Sequence, residues 1–292
     1  MPTPIDIGNE VRQFRLRYPG GPLGSGAPYS NYITRMTNSS RNLNASPWDT
    51  CPLMANQDPY LMTWLQDDMI CNNASKTTDV WNPIKGTGGV IAVASTAGGW
   101  LNIPTAAAAT NDYQIFASQA AFYTLLANKP LWFEVGLSVT EANTNTSSWY
   151  AGFGSTTTTG FLQNSGAPPA SYSGAMFWKA QGAMALSWQT SNATTQNTTA
   201  TTLAVTSGTQ YMLGMYINPN DGVTALVTPY ISSYSRTAPL LTNLVSPALG
   251  NAPTLNLTIA SLASMFFQFG VRTASASAET ISVDFAQVVA FR

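Results

Sequence analysis

The sequence predicts an all-β protein folded as a sandwich or jelly roll, and three observations support this prediction. First, in residues 129–139, KPLWFEVGLSV, every second residue is apolar: Leu131, Phe133, Val135, Leu137 and Val139. A period of two is typical of a β-strand with one buried face, and we expect this strand to be central. Second, short runs of the same kind recur between turn signals such as NPNDG at 218–222. Third, no run has a convincing helical period.

The other expected strands follow one another along the chain. They cover residues 90–93, 113–122, 149–153, 175–179, 184–188, 211–217, 223–227, 267–271 and 281–291. Residues 175–188 are expected to form a hairpin around Gln181 and Gly182, whereas residues 60–70 fit either a strand or a short helix. The polar segment 192–202 and the segment 232–253 are expected to connect strands without being strands.

The last expected strand makes a specific prediction about the core. Its apolar residues alternate, with Gln287 as the one exception on their face: Ile281, Val283, Phe285, Val289 and Phe291. We therefore expect this strand to belong to the main sheet and to direct all five of these side chains inward.

Residues 1–62 are expected to form an extended N-terminal arm, followed by one jelly-roll domain at 63–292. Prolines and glycines recur between Pro2 and Pro28, and they interrupt any helix or long strand. The segment is either a flexible tail with chance hydrophobic residues or an arm that becomes ordered on a neighbouring subunit. Its mixture of arginines and apolar residues favours the arm. The candidate partner-binding residues are Arg12, Phe14, Arg15, Leu16, Arg17 and Tyr18.

The composition limits the partners and the chemistry. Charged residues are 9% of the 292 residues, against about 25% in typical globular proteins. With a net charge of −1 the chain repels itself little, so its surface is either that of an ordinary neutral β protein or one covered by protein partners. The arginine-containing segment at residues 1–62 lacks the dense Lys/Arg run and aromatic platform of proteins that bind single-stranded nucleic acid. We therefore expect a protein partner there and no nucleic acid. No apolar run reaches the roughly 18 residues of a membrane span.

Few side chains are suited to catalysis or metal binding. The chain has no histidine, which removes the commonest general base and metal ligand. Cys51 and Cys71 are its only cysteines, and they can form one disulfide or remain two thiols. The lack of a secretory signal favours thiols. We expect no cofactor.

From about residue 64 to residue 292, the order of these pieces resembles the concanavalin-like (laminin-G-like) jelly-roll proteins that decorate the capsids of tailed bacteriophages. The matching pieces are DDM (67–69), the 129–139 strand, MFWK (176–179) with MALSW (184–188), YMLGMYI (211–217) before NDG (220–222), and ISVDF (281–285) ahead of the final FR (291–292).

The resemblance implies a concanavalin-like jelly-roll β-sandwich and a structural virion protein. It implies a capsid decoration (cement) protein, made in the host cytoplasm and placed on the outer capsid surface of the virion. Such a protein forms a homotrimer and binds the major capsid protein and neighbouring copies of itself. The alternative is a carbohydrate-binding module of a phage fibre or capsid surface, with a glycan as its ligand.

Concanavalin-like folds also carry glucanases and lectins, so the fold leaves the function open. A retaining glucanase needs two carboxylates about 5–5.5 Å apart. Glu134 stands alone on its strand, and Glu141 lies an odd number of residues away, so we expect it on the other side. The sequence predicts no enzyme and no catalytic residue, with Glu134 facing solvent or an interface. Asp67-Asp68 and Asn220-Asp221 are dense in oxygen ligands, but turns or caps explain them better than a metal site does.

A chain shortened to begin near Tyr60 tests the division into arm and sandwich. Because nearly all the alternating strands lie beyond Tyr60, the shortened chain should stay in solution, keep a β-type circular dichroism spectrum and melt cooperatively. It should bind capsids much more weakly than the full chain. Equal binding would contradict the arm prediction, and failure to fold would place residues 1–60 in the core.

Overall fold

The computed structural model describes residues 11–18, 29–36, 62–67, 69, 80–87, 89–93, 100–107, 110–157, 162, 172–219, 222–233, 255–258 and 264–291. Every regular element among them is a β-strand. The strands are β1 (Val11–Tyr18), β2 (Tyr29–Met36), β3 (Met62–Asp67), β4 (Trp81–Lys85), β5 (Ala92–Val93), β6 (Leu101–Pro104), β7 (Tyr113–Ser118), β8 (Leu131–Thr140), β9 (Ser147–Gly154), β10 (Ser173–Lys179), β11 (Ala185–Asn192), β12 (Gln196–Ala204), β13 (Gln210–Pro219), β14 (Thr224–Ser233), β15 (Leu255–Thr258), β16 (Phe266–Thr273) and β17 (Thr280–Phe291).

Two antiparallel sheets pack face to face. The seven-stranded sheet has the order β12-β11-β10-β9-β16-β7-β4, and the eight-stranded sheet has the order β15-β14-β13-β8-β17-β6-β5, with β3 also paired to β17. This arrangement confirms the predicted fold class, an all-β jelly-roll sandwich. The described residues include no helix of the length and hydrophobicity that crossing a membrane requires.

The strands β1 and β2 form a separate two-stranded sheet. They pair antiparallel from Val11 opposite Met36 to Tyr18 opposite Tyr29. The expected arm therefore contains a hairpin, and the sandwich begins with β3 at Met62. The backbone of this hairpin is described but its side chains are not, so the arm's role stays a prediction.

The predicted central strand, β8, lies between β13 and β17. Its apolar residues face the other sheet and are buried, as predicted. Its opposite face is buried as well, because Trp132 and Glu134 are only 2% and 4% exposed. The prediction that this strand has a single buried face is therefore wrong, and so is the expectation that Glu134 faces solvent.

Aromatic rings fill the space between the sheets. From β8, Phe133 contacts Phe153 of β9 and Phe267 of β16, with ring centroids 5.6 Å and 5.0 Å apart. Trp81 of β4 stacks on Phe116 of β7 at 5.1 Å. Edge-to-face and offset pairs of this kind add to the stabilisation that burial of the rings provides.

A β-bulge divides β17 into two parts. Val283 lies opposite Leu137 and Phe285 lies opposite Gly136, so Asp284 is an extra residue on β17. Beyond it the faces exchange: Ala286, Val288 and Ala290 enter the core cluster. The prediction is correct for the strand's place in the sheet and for Ile281 and Val283. It is wrong for Phe285, Val289 and Phe291, which alternate with those core residues and therefore lie on the outer face of the sheet. Gln287 lies on the same outer face.

The sequence pattern does not predict β2, β4, β6, β12 or β15, and one ambiguous segment is resolved. The segment 192–202 was expected to be a link, but most of it is β12, a strand rich in threonine. The short β15 follows the expected loop 232–253 and was not predicted. Residues 62–67 form a strand and not a helix, and the hairpin at 175–188 is confirmed as β10 and β11.

A pair of alanine substitutions tests the exchange of faces at the bulge. Phe267→Ala should lower the free energy of unfolding by about 3–5 kcal/mol, because its fully buried ring leaves a cavity. Phe285→Ala should cost clearly less, because Phe285 is only partly buried on the outer face. Urea denaturation measures both, and equal losses would mean that Phe285 belongs to the core.

Candidate functional site

The outer face of the seven-stranded sheet is covered over its middle strands, β7, β16, β9 and β10. A second hydrophobic cluster lies there, built from Ile115, Ala117, Tyr150, Leu162, Tyr172 and Met176. Leu162 comes from the connection between β9 and β10 and is 1% exposed. Arg272 donates a hydrogen bond to the carbonyl oxygen of Leu162, which fixes this connection on the sheet.

The polar side chains of this face bond to one another. The Tyr150 hydroxyl donates to Gln268 Oε1 at 3.0 Å, and Gln268 Nε2 donates to the carbonyl oxygen of Thr156 at 2.8 Å. The Tyr172 hydroxyl donates to Gln189 Oε1 at 2.7 Å. Burial raises the pKa of both tyrosines well above the ordinary value, so both stay neutral. Groups that could recognise a polar ligand on an open sheet are engaged inside the protein.

The described aspartates of the sandwich edges hold backbone in place. Asp67 accepts a hydrogen bond from the Met69 amide and one from Trp81 Nε1, both at 2.9 Å, which joins β3 to β4. Asp112 accepts bonds from the amides of Thr87 and Ala106. No group of three or more His, Cys, Asp or Glu side chains lies together among the described residues. Asp68, Asn220, Asp221, Cys51 and Cys71 lie outside those residues.

A buried ionic cluster joins both sheets at one end of the sandwich. Lys179 Nζ, at the end of β10, lies 2.9 Å from Glu141 Oε1 and donates to the carbonyl oxygen of Ser147 at 3.0 Å. The Lys179 side chain is fully buried. Glu279, just before β17, accepts bonds from Thr146 Oγ1 at 2.6 Å and from the Ala142 amide at 3.1 Å.

The two carboxylates of this cluster are shifted in opposite directions. For Glu141, burial alone would raise the pKa, but hydrogen bonds from Ser147 and Lys179 and the positive charge of Lys179 outweigh it and lower the pKa. For Glu279, burial raises the pKa, bonds from Thr146 and Ala142 oppose the rise, and the charge of Glu141 adds to it. Two carboxylates near one lysine therefore have unequal proton affinities.

Opposite shifts are found in active sites, but this cluster lacks access for a substrate. Glu279 is 0% exposed and Lys179 is 1% exposed. Glu134 is seven residues from Glu141 along an extended strand, which places them roughly 20 Å apart at about 3.3 Å per residue. A glycosidase pair must lie within about 5–9.5 Å. The cluster joins the two sheets and so stabilises the fold. The expectation that this chain is not an enzyme stays a prediction.

The described surface also has an apolar depression of about 300 Å³. It is lined by Thr63, Phe122, Thr124, Leu126, Ala290 and Phe291. Phe122 and Leu126 are 54% and 48% exposed, which is unusual for large apolar side chains. Behind it, Trp132 stacks on Tyr216 at 5.5 Å and contacts Phe291 at 5.7 Å. None of the described residues that line the depression is charged.

The loop that carries Phe122 and Leu126 is firmly held. Tyr123 exchanges backbone hydrogen bonds with Met265, at 3.2 Å and 2.8 Å, and its ring packs edge-on against Phe153 at 5.3 Å. The Thr124 hydroxyl bonds to that of Ser264 at 2.8 Å, and the Asn128 amide donates to Pro219 O at 2.7 Å. With Tyr123 directed inward, Phe122 points outward on a fixed backbone.

The sequence pattern does not indicate this depression. It predicts that Phe122 lies at the end of a strand, and it gives no role to Leu126. The available signal was the pair of large apolar residues in a short segment with no alternating pattern. The predicted partner-binding residues, Arg12 to Tyr18, lie on β1, apart from the sandwich sheets; their side chains lie outside the described structure, and their role stays a prediction.

Comparisons with known proteins identify no family for this chain. Neither a family model nor a curated protein sequence matches it. Similar solved structures include a protein of unknown function from Shewanella oneidensis, at 14% identity and TM-score 0.49, covering 81% of this chain and 89% of the other. Peanut lectin is 10% identical with TM-score 0.48, over 78% and 97%. An endo-1,3-β-glucanase from Streptomyces sioyaensis is 12% identical with TM-score 0.47, over 81% and 99%. Similarity at this level does not show what this chain binds.

Two glutamine substitutions should reveal the ionic cluster through opposite pH dependences. The lowered pKa of Glu141 means that it stabilises the fold above the ordinary carboxyl range, and that this is lost as pH falls through the lowered value. The raised pKa of Glu279 means that its ionisation costs stability as pH rises past the ordinary range through the raised value. Glu141→Gln should therefore lower the free energy of unfolding by about 3 kcal/mol at neutral pH, because it leaves the charge of Lys179 unpaired. This loss should become smaller in acid.

Compared with the unmodified chain, Glu279→Gln should gain most stability at neutral pH, and this gain should disappear on acidification. Urea midpoints measured from neutral pH to about pH 3, below the ordinary pKa of a carboxyl group, test both trends. The double variant Glu141→Gln/Lys179→Met, which removes both charges, is the matched control and should lose less than Glu141→Gln alone. Parallel pH profiles for all variants would contradict this description of the cluster.

Proposed function

We propose that this chain is a non-catalytic binding protein whose ligand is the surface of other proteins. The single observation that carries the proposal is the depression whose described lining is uncharged, where an anchored loop keeps the side chains of Phe122 and Leu126 exposed to solvent. Apolar side chains on a fixed backbone lose little conformational freedom when a partner covers them, so their burial contributes more of its free energy to binding.

The finer form of the proposal is a structural virion protein that decorates and cements a capsid. It rests on the sequence resemblance alone, which names the major capsid protein and neighbouring copies of this chain as partners. The low charge of the chain suits adhesion, because weak contacts repeated around a symmetric particle add up to strong attachment. The arm at 1–62, with Arg12 to Tyr18, would supply a second contact.

Carbohydrate binding is the second candidate, and a specific feature of the depression favours it. The hydroxyl-bearing Thr63 and Thr124 line it together with Phe122 and Phe291. A few polar groups beside apolar and aromatic surface is the usual composition of a small-ligand site. A glycan would bind there and not over the middle strands of the seven-stranded sheet, whose outer face is covered.

The variant Phe122→Ser/Leu126→Ser tests both candidates at the same place. For the capsid proposal, co-sedimentation with undecorated capsids of tailed phages should show binding by the full chain. The variant should bind at least about tenfold more weakly, which corresponds to about 1.4 kcal/mol. Val90→Ser is the control, because Val90 is 83% exposed and does not line the depression.

Calorimetry against a glycan panel, with the same variants, examines the second candidate. Glycan binding that disappears in Phe122→Ser/Leu126→Ser, without capsid binding, would replace the protein-binding proposal. If neither capsids nor glycans bind, or if Val90→Ser is affected equally, the depression is not the site.

A further inference from the structure

The edges of the two sheets are protected unequally. An edge strand presents unpaired N–H and C=O groups, and natural proteins protect such strands with proline, charge, a β-bulge or short length. Among the described strands of the sandwich, the edge strands are β12, β4, β15, β5 and β3. β4 contains Pro83 and Lys85, β15 has four residues, β5 has two, and β3 ends at the buried Asp67. Four of these five edges therefore carry a protective feature.

The fifth edge, β12, has a bulge beyond Ala200 and none of the other protective features. It is nine residues long, QNTTATTLA, with no proline and no charged residue. No Asp, Glu, Lys or Arg occurs anywhere from residue 180 to residue 220. β12 pairs with β11 on one side, and no described strand pairs with its other side. Asn197, Thr198 and Ala200 are exposed to solvent.

This edge is held in a regular conformation. Gln189 Nε2 donates to Thr198 Oγ1 at 2.7 Å, and Asn197 Nδ2 donates to the carbonyl oxygen of Asn256 at 3.0 Å. Pairing with β11 runs without a break from Gln196 to Ala200, and a register shift follows. The segment 196–200 is therefore the part of the edge that is straight enough to accept another strand.

We propose that the β12 edge binds the β12 edge of a second copy of this chain. Two such strands related by a two-fold axis pair antiparallel, as neighbouring strands of this sheet already do, and the axis passes near Thr198. The contact is self-complementary, with threonine facing threonine. An edge without charge, on a chain of net charge −1, has almost no electrostatic repulsion against its own copy. The two seven-stranded sheets become one continuous sheet.

This contact goes beyond the proposed function, and it differs from the trimer that the resemblance implies. A two-fold contact produces a dimer, whereas a trimer needs another surface. The two therefore predict different masses for the full chain. Binding through the depression at Phe122 does not depend on either of them.

Sedimentation equilibrium of the full chain should give twice its 31.1 kDa mass at high concentration and the single mass on dilution. Thr198→Lys and Thr198→Glu should each be monomeric, because each places like charges at the two-fold axis. An equimolar mixture of the two should dimerise again, which separates the contact from any loss of folding. Gln119→Lys, an exposed position after β7, is the control and should dimerise normally.

Amide hydrogen exchange gives an independent measurement on the unmodified chain. Amides within 197–200 should exchange more slowly as concentration rises, while the other edges stay unchanged. A chain that is monomeric at all concentrations, a trimer, Thr198 variants that still associate with themselves, or a mixture that stays monomeric would each overturn the proposal.

Discussion

The contact of Phe133 with Phe153 and Phe267 is the interaction on which the rest of the sandwich depends. It joins the centre of one sheet to the centre of the other, with ring centroids 5.0–5.6 Å apart. Because sheets pack about 10 Å apart, rings of this size fill the space without long side chains from the edges. The edge strands are thereby free to be polar or short, as β12, β5 and β15 are. The outer faces of both sheets can then pack against other side chains.

On these outer faces and at the ends of the sandwich, the described polar groups bond to one another. On the seven-stranded sheet, Leu162 covers the face and Tyr150 and Tyr172 bond to glutamines. At one end of the sandwich, Glu141 and Glu279 surround the buried Lys179. Each of these polar groups has a partner that compensates its loss of water, as burial requires. These described polar groups thus hold the fold together, and the proposed function rests on the exposed apolar side chains of the depression instead.

The sequence predicted those parts of the fold that follow from local alternation. β8, the β10–β11 hairpin and β13 each show a period of two, and each is a strand. β12 was missed because its threonines and asparagine carry no hydrophobic alternation. The faces of β17 were misassigned because the bulge at Asp284 depends on pairing with β8, which single-strand periodicity does not contain. The ionic cluster joins residues up to 138 positions apart, so no short sequence motif indicates it. The depression arises from three separate segments.

The position of β17 has a consequence for how the chain reaches its native state. This strand follows every other described strand in sequence, yet it lies inside the sheet, paired with β8, β6 and β3. Contacts over such sequence separations form late and slowly, because long loops must close first. During synthesis, β8 therefore leaves the ribosome long before the neighbour that covers one side of it. The chain passes through a stage with an open, apolar strand edge at its centre, and this is where nascent-chain aggregation competes with folding.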